Sequence, residues 1–443
     1  MSHIVHGRSG RITYSVPDDW EAVVPDAEAI DSLAVQVGPE GEFAPNVVVT
    51  ATAFNGHIGL FAQSAMDHLR TTLEDTVIVD VLPWSADQSI PGDPTEHGRV
   101  IVYTHRSPQT GARLRGAEWL VTRAGVAAQM TSTSTVSQWP VFASLFAEIG
   151  STLRIEGPEE EAAQPKDLPQ ASTDPFLSDL AGVPVERLDG LAALQRYQHE
   201  GLTMHGESFA LFTSLAEGER LGRLTDARSG SALAELTELG LVEATSLSES
   251  GQTLALIFQE SGASLRITAA ADQGSTSFHA WVAGEHALTV AGPDRTSLLS
   301  GPQQATPGPD QVTVAVMPVD ELTTDLIRWA GVQPTWNLPV FPSTVPEEVV
   351  ERRWAGDTSL PDSVSPTLEA VWNQPWFLWT FEASGPRSAV PAAAYLNAGR
   401  MGHYAWGRSD EGIVMVPLDA LTILDRFEDA LQACLYGREP RIG

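Results

Sequence analysis

The chain has 443 residues, 42% of them hydrophobic, with twelve Trp and a formal net charge of −31. That length asks for two or three domains, and the apolar content suits packed cores and excludes a wholly disordered chain. The charge repels phosphate backbones and anionic lipid, which sets nucleic acid and membrane surfaces aside as partners.

The single cysteine, Cys434, excludes an internal disulfide framework and any multi-cysteine metal site. It lies in an apolar helical run and reads as a buried thiol. The opening residues, Met1 to His6, show neither a basic start before an apolar stretch nor a lipidation cysteine. No apolar run approaches the ~20 residues of a membrane span, so the expected location is the cytoplasm.

In chain order, Arg11 to Val16 alternates with period two and stops at Pro17-Asp18-Asp19, a turn signal. Asn46 to Thr52 is β-branched and reads as a strand. Gly59 to Leu73 sets Leu60, Phe61, Ala65, Met66 and Leu69 on one helical stripe. Strand-like runs follow at 77–82, 99–105, 114–123 and 126–133, the last two joined by a tight turn at Arg123-Ala124-Gly125. A helix over 140–153 carries Val141, Leu145, Phe146 and Ile149, with Pro140 at its start. Antiparallel strands with helices packed on them predict an α+β domain over 1–155.

Val16-Pro17-Asp18-Asp19-Trp20 and Phe43-Ala44-Pro45-Asn46-Val47-Val48-Val49 give this region a resemblance to the PsbP-like fold, and within it to the LpqN-like proteins. The resemblance implies a binding module with no shared chemistry. Its relatives are often exported lipoproteins, whereas this chain shows no export signal or lipid-bearing cysteine. Residues 156–183, rich in Pro, Ala and acid, read as a linker.

The C-terminal region, 184–443, contains a repeat. Val316-Met317-Pro318-Val319-Asp320-Glu321-Leu322-Thr323 matches Met415-Val416-Pro417-Leu418-Asp419-Ala420-Leu421-Thr422 in chemical type at each position. Each copy ends a β-run and starts a helix, with Pro expected in the first turn and Asp facing the free N–H groups. The helical stripes are Leu322, Leu326 and Trp329 in one copy, and Leu421, Leu424, Phe427 and Leu431 in the other. Three strand-like runs precede each copy: 264–270, 278–283 and 287–290, then 376–381, 392–396 and 403–406. A pseudo-twofold domain follows, its units near 260–332 and 372–436, with two similar sheets joined or packed together. Ahead of the repeat, 230–242 reads as a helix closed by Gly240, and Thr245 to Phe258 as another. Val345 to Val350 starts a further helix after an irregular stretch from Pro334 to Pro342.

Ala232-Leu233-Ala234-Glu235-Leu236, Gly240-Leu241-Val242, Val345-Pro346-Glu347-Glu348-Val349, Ala398-Gly399-Arg400 and Val416-Pro417-Leu418-Asp419 recur in an order that resembles the EspG family of ESX (type VII) secretion-associated proteins. The resemblance implies a cytosolic chaperone or adaptor that binds secreted substrates. The fused first domain departs from that family's pattern.

No phosphate-binding glycine loop and no G-x-S-x-G elbow occurs. His3 with His6 and His199 with His205 lack the acid or thiol company that zinc needs, and His3 and His6 sit on an expectedly frayed terminus. Gly56-His57-Ile58-Gly59 reads as a strand-to-helix turn. No carboxylate pair stands out as proton donor and acceptor. The expectation is a non-catalytic protein-binding adaptor with no cofactor and no metal.

Seven of the twelve Trp fall between Trp329 and Trp406. The alternation over Pro375 to Phe381 gives either an exposed aromatic face or a central strand buried on both faces, and the second is preferred. Trp336 and Trp354, on less regular connections, are the candidate partner-binding residues. Two alternatives stay open. Leu236 to Gly251 resembles the helix-to-wing passage of a winged-helix regulator. Between Gly201 and Glu260, however, stand three Arg, no Lys and nine acids, the wrong sign for DNA. The other alternative is a carrier of a small apolar ligand, enclosed between sheet and helices.

Overall fold

The computed structural model describes residues 2–38, 43–84, 98–123, 125–156, 173–218, 227–300, 307–360 and 364–437. Ala124 and most of the expected linker, residues 157–172, lie outside them. The chain forms two compact units: residues 1–191 with 334–336, and residues 192–333 with 337–443.

The first unit runs β1 (Ser2–His6), β2 (Ile12–Pro17), β3 (Trp20–Val23), β4 (Ser32–Gln36), β5 (Asn46–Ala53), α1 (Ile58–Thr72), β6 (Glu74–Trp84), β7 (Gly98–Arg106), β8 (Arg113–Arg123), β9 (Val126–Thr135), α2 (Trp139–Ser151), β10 (Arg154–Ile155), α3 (Pro175–Ala181) and the start of α4 (Asp189–Leu194). Seven strands make one antiparallel sheet in the order β3-β4-β5-β9-β8-β7-β6. The terminus expected to fray is strand β1, paired with β2 from Ser2↔Pro17 to His6↔Thr13. Its backbone groups gain ladder partners that composition does not announce.

Helix α1 starts at His57, whose Nδ1 accepts the Gly59 N–H at 3.0 Å. Its buried stripe is Ile58, Ala62, Ala65, Met66 and Leu69, so Leu60 and Phe61 flank the stripe instead of leading it. The stripe packs on Ile78, Val81, Ile101, Tyr103 and Leu120. Helix α2 meets the other face, where the ring of Trp119 lies against Gly150 too closely for any Cβ. Val141, expected inside, is 61% exposed, because the buried face of α2 is Trp139, Phe146 and Ile149.

Residues 173–191 belong to this unit. Leu188 and Leu191 join the α1 cluster, and the Arg99 Nε donates to the Glu186 carboxylate at 2.9 Å with both side chains 3% exposed. Trp336 packs against the same cluster.

The second unit continues with β11 (Leu202–His205), α5 (Gly206–Ala216), α6 (Ala227–Glu238), β12 (Val242–Glu243), β13 (Ser246–Leu247), α7 (Glu249–Gln259), β14 (Ala263–Ala271), β15 (Gly274–Ala283), β16 (His286–Ala291), α8 (Arg295–Leu299), β17 (Gln311–Pro318) and α9 (Leu322–Ala330). Then come β18 (Thr344–Val345), α10 (Glu347–Trp354), α11 (Pro366–Trp372), β19 (Phe377–Ser384), β20 (Ala389–Asn397), β21 (His403–Ser409), β22 (Gly412–Leu418) and α12 (Ala420–Tyr436).

In place of two sheets there is one of ten strands, ordered β11-β17-β16-β15-β14-β19-β20-β21-β22-β18. The middle pair, β14 and β19, joins the halves from Ser264↔Ser384 to Ala270↔Leu378. Pro318 both ends β17, paired with His286, and caps the 3-10 turn Val319–Glu321 that leads into α9, while Pro417 stays within β22, paired with Tyr404. A fixed φ suits the extended strand end as well as a first helical turn. Asp419 caps α12 by its side chain, accepting the Thr422 N–H at 2.9 Å, whereas Asp320 lies within the turn that leads into α9. The stretch expected as one helix from Thr245 is instead the β12–β13 hairpin followed by α7, which Ser248 caps at Gly251 N–H. Gly240, at φ +72°, closes α6 as expected.

Helices α9 and α12 cover one sheet face: Trp329 meets Phe278 and Phe377, and Phe427 meets Trp379 and Phe381. Cys434 is buried in α12. On the opposite face, α5 and α7 cover the first half, with Phe209 and Phe258 against Trp281. Over the second half Trp372, Trp376, Trp354 and Trp406 form a chain of edge-on contacts.

Candidate functional site

Between those two helical covers, the middle strands show an open face. Alternation sends Leu265, Ile267, Phe377, Trp379 and Phe381 into the α9–α12 core, and sends Arg266, Thr268, Thr380, Glu382 and Ser384 outward, where they are exposed. The aromatic run is buried on both faces, Trp376 included, and the outward face opens only beyond it, from Thr380 onward. Cross-strand register sets Glu382, Arg266 and His279 in one row, and Thr380, Thr268 and Ser277 in the next. Arg266 and Glu382 stand 4.0 Å apart, each more than half exposed. His279 stacks on Trp281 with ring centroids 3.7 Å apart. Burial, with the Arg266 charge adding to it, lowers the His279 pKa to about 4, so the ring is neutral near pH 7.

At one side of this face lies a cleft of about 1110 Å³, bounded by the start of α5, by α6, by β14–β15 and by residues 309–312. The start of α5 is fixed by the Gly206 N–H, which donates to the Asp310 carbonyl at 2.8 Å. The Glu235 carboxylate of α6 sits at that helix terminus. It accepts the His205 N–H at 3.1 Å, pairs with His205 Nδ1 at 2.9 Å, and accepts the Ser208 hydroxyl. Burial alone would raise the Glu235 pKa, but the hydrogen bonds from Ser208 and His205 outweigh it and hold the group below its usual range. The imidazole and the hydroxyl both point at the carboxylate. A nucleophilic relay sets the imidazole on the hydroxyl, which is a different arrangement.

The remaining lining is mixed: Thr268, Ser275 and Ser277 on the floor and Glu207, Glu238 and Asp310 at the rim, with Ala232, Ala234, Pro293 and Val312 between them. A carrier of an apolar ligand needs an enclosed pocket, whereas this cleft is open to solvent, with hydroxyls and carboxylates among its lining. Helix α6 buries Ala232 and Leu236 and turns Glu238 outward, the opposite of a phosphate-facing recognition helix.

Of the sequence candidates, Trp336 is half-buried in the first unit. Its Nε1 donates to the Glu186 carbonyl at 2.8 Å, and the Arg99 guanidinium lies 5.4 Å from its ring centroid. Trp354 is half-buried in the second unit, edge-on to Trp376 at 6.0 Å. Both rings are engaged, each within its own unit. His3 stands 3.8 Å from Asp18, His199 Nε2 stands 3.5 Å from Asp294, and His205 pairs with Glu235. Among the described residues no three or more His, Cys, Asp or Glu side chains converge as metal ligands would. No helix among them is long and apolar enough to cross a membrane.

The open face and its cleft were missed by sequence reading. The period-two runs at 264–270 and 376–381 marked an outward side, but nothing local said which side stayed uncovered.

No protein-family model matches the chain, and no curated protein does. Solved structures of the PsbP, Mog1 and LpqN kind match its N-terminal third at low identity. The cyanobacterial PsbP of Synechocystis sp. PCC 6803 is 10% identical, over 35% of this chain and 92% of that one, with a TM-score of 0.26. LpqN of Mycobacterium tuberculosis, described as involved in cell envelope biogenesis, is 14% identical over 35% and 91%, with a TM-score of 0.25. The Ran-binding protein Mog1p of Saccharomyces cerevisiae is 13% identical over 35% and 95%, with a TM-score of 0.25. Nothing in the comparisons shows the EspG family for the C-terminal part.

Proposed function

We propose that the protein is a non-catalytic adaptor that holds a protein partner on the open middle of its ten-stranded sheet. The observation that carries this reading is the exposed polar strip of β14 and β19, left bare between the α5–α7 cover on one side and the tryptophan chain on the other. A sheet face that stays uncovered while its reverse buries Trp329 and Trp379 is a rigid platform, and rigid elements make good binding surfaces.

We read the second unit as one strand-and-helix module built twice. The strand order is symmetric about the β14–β19 pair, and α9 and α12 follow the matched segments at Val316–Thr323 and Met415–Thr422. Strand registers then make Arg266 and Glu382 counterparts, facing each other at the centre. The resemblance to the EspG family extends this reading to a cytosolic chaperone for small secreted type VII substrates, with the PsbP-like first unit as an added module.

The test is affinity capture from the native host with the full chain and with Thr380→Trp, which fills the open face without changing charge. The wild-type chain is expected to recover a small protein in stoichiometric amount, and the variant about a tenth as much or less. Equal recovery by both, or no protein recovered by either, contradicts the adaptor reading.

A further inference from the structure

The cleft beside α5 and α6 carries chemistry more specific than a flat polar face. Its volume, about 1110 Å³, exceeds the ~300–1,000 Å³ of ordinary small-molecule pockets, so it has room for a short length of chain. Four carboxylates border it: Glu207, Glu235, Glu238 and Asp310. Glu235 is satisfied by His205 and Ser208, whereas Glu207, Glu238 and Asp310 are exposed. Among the described lining residues the arginine is Arg266, and it has Glu382 beside it at 4.0 Å. The cleft is therefore net negative, on a chain that is itself strongly acidic. Hydroxyls of Thr268, Ser275 and Ser277 line the floor, and a hydroxyl can either donate to a carbonyl or accept from an N–H. An extended backbone presents both groups in alternation.

Resting on the adaptor reading above, we infer that this cleft takes an extended, basic segment of the partner. Its lysine or arginine side chains meet Glu207, Glu238 and Asp310 at the rim, and its backbone lies across the floor hydroxyls. A neutral or acidic segment finds no counter-charge here, and an apolar one would strand the floor hydroxyls without water or partner. Long-range attraction from the acidic chain speeds encounter with such a segment, and the rim carboxylates fix where it docks.

The probe is a short fluorescein-labelled peptide of alternating Lys and Ser, compared with its Glu–Ser counterpart by fluorescence anisotropy on the full chain. The Lys–Ser peptide is expected to bind saturably and the Glu–Ser peptide not at all. Glu207→Gln with Glu238→Gln is expected to weaken the Lys–Ser peptide about tenfold, and Ser277→Trp by about as much with no change in charge. Asp19→Asn with Glu28→Gln removes the same charge from exposed positions on the first unit, and is expected to change binding by less than about twofold. Unsaturable binding, equal loss in that control pair, or full binding by Ser277→Trp overturns the cleft assignment.

Affinity capture separates this inference from the adaptor reading. If Thr380→Trp loses the partner while the Glu207→Gln, Glu238→Gln chain keeps it, the cleft assignment fails and the adaptor stands. If both chains keep the partner, both readings fail.

Discussion

The two large sheets treat charge in opposite ways. On the seven-stranded sheet, strands β6 to β8 bury Asp80, Arg99, Arg113, Arg115 and Glu118, each no more than 2% exposed. On the ten-stranded sheet the strand-borne arginines and acids, Arg266, Glu382 and Arg408, are all exposed, and the interior is filled by Trp329, Trp372, Trp376 and Trp379. Buried charges must be paired or neutralised where they lie, so those of the first unit are committed to holding its own fold. Arg113 donates to the Asp75 backbone and carboxylate, Arg99 to Glu186, and Arg115 lies over the Trp139 ring at 4.7 Å. Charges on the second sheet pair at the surface instead, Arg266 with Glu382 and Arg408 with Glu347. On the adaptor reading proposed above, that contrast favours the second unit for docking.

The contrast can be broken by mutation. The largest loss is expected from Trp379→Ala, which empties a site stacked on Tyr395 and packed by Phe427; it should cost about 4 kcal/mol in denaturant unfolding. Glu186→Ala leaves the buried Arg99 guanidinium without its carboxylate and should cost about 3 kcal/mol. Its counterpart, Glu382→Ala at the exposed Arg266 pair, should shift stability by less than about 0.5 kcal/mol. If the two glutamates prove equal, the buried-versus-surface distinction is lost.

Buried charge in the first unit also gives its stability a pH dependence. Glu118 accepts from Gln129 at 2.9 Å, yet its Oε2 is buried without a partner, and burial pushes its pKa up to about 8. The folded chain then keeps a proton that the unfolded chain releases. This group's contribution is most favourable at acid pH, declines as pH rises above the ordinary glutamate range, and levels off above about 8. Glu118→Gln should remove that decline and raise stability near neutral pH by roughly 2 kcal/mol. Unfolding curves measured across this pH range check it, and an unchanged slope would show that Glu118 is not the group responsible.

Local pattern carried much of the fold. The alternation of β2, β5, β7, β8 and β9, and the helical spacing of α1, α9 and α12, were all readable. Burial was less so, because periodicity says which residues share a face but not what covers it. Arg113 and Arg115 fall on one face of β8 and Glu118 on the other, as in a strand wetted on both sides, and only α1, α2 and neighbouring strands make those faces internal. Val141 had an apolar position in the helical stripe, but α2 turns Trp139 and Phe146 inward in its place. The short strands β3 and β4 are too brief for period-two counting. The cleft was least legible of all, since Glu235 meets His205 and Ser208 only across separations of 30 and 27 residues. What the sequence did offer was the matched pair at Val316 and Met415, which pointed to the unit that carries the open face.

The most direct measurement places a photo-crosslinking side chain at Thr380 on the second sheet, and separately at Gln129 on the first, in otherwise identical full-length chains. Irradiation in the native host should give one discrete protein adduct from position 380 and none from 129. Adducts from 129 alone, or the same mixture from both positions, would contradict the assignment of binding to the open ten-stranded face.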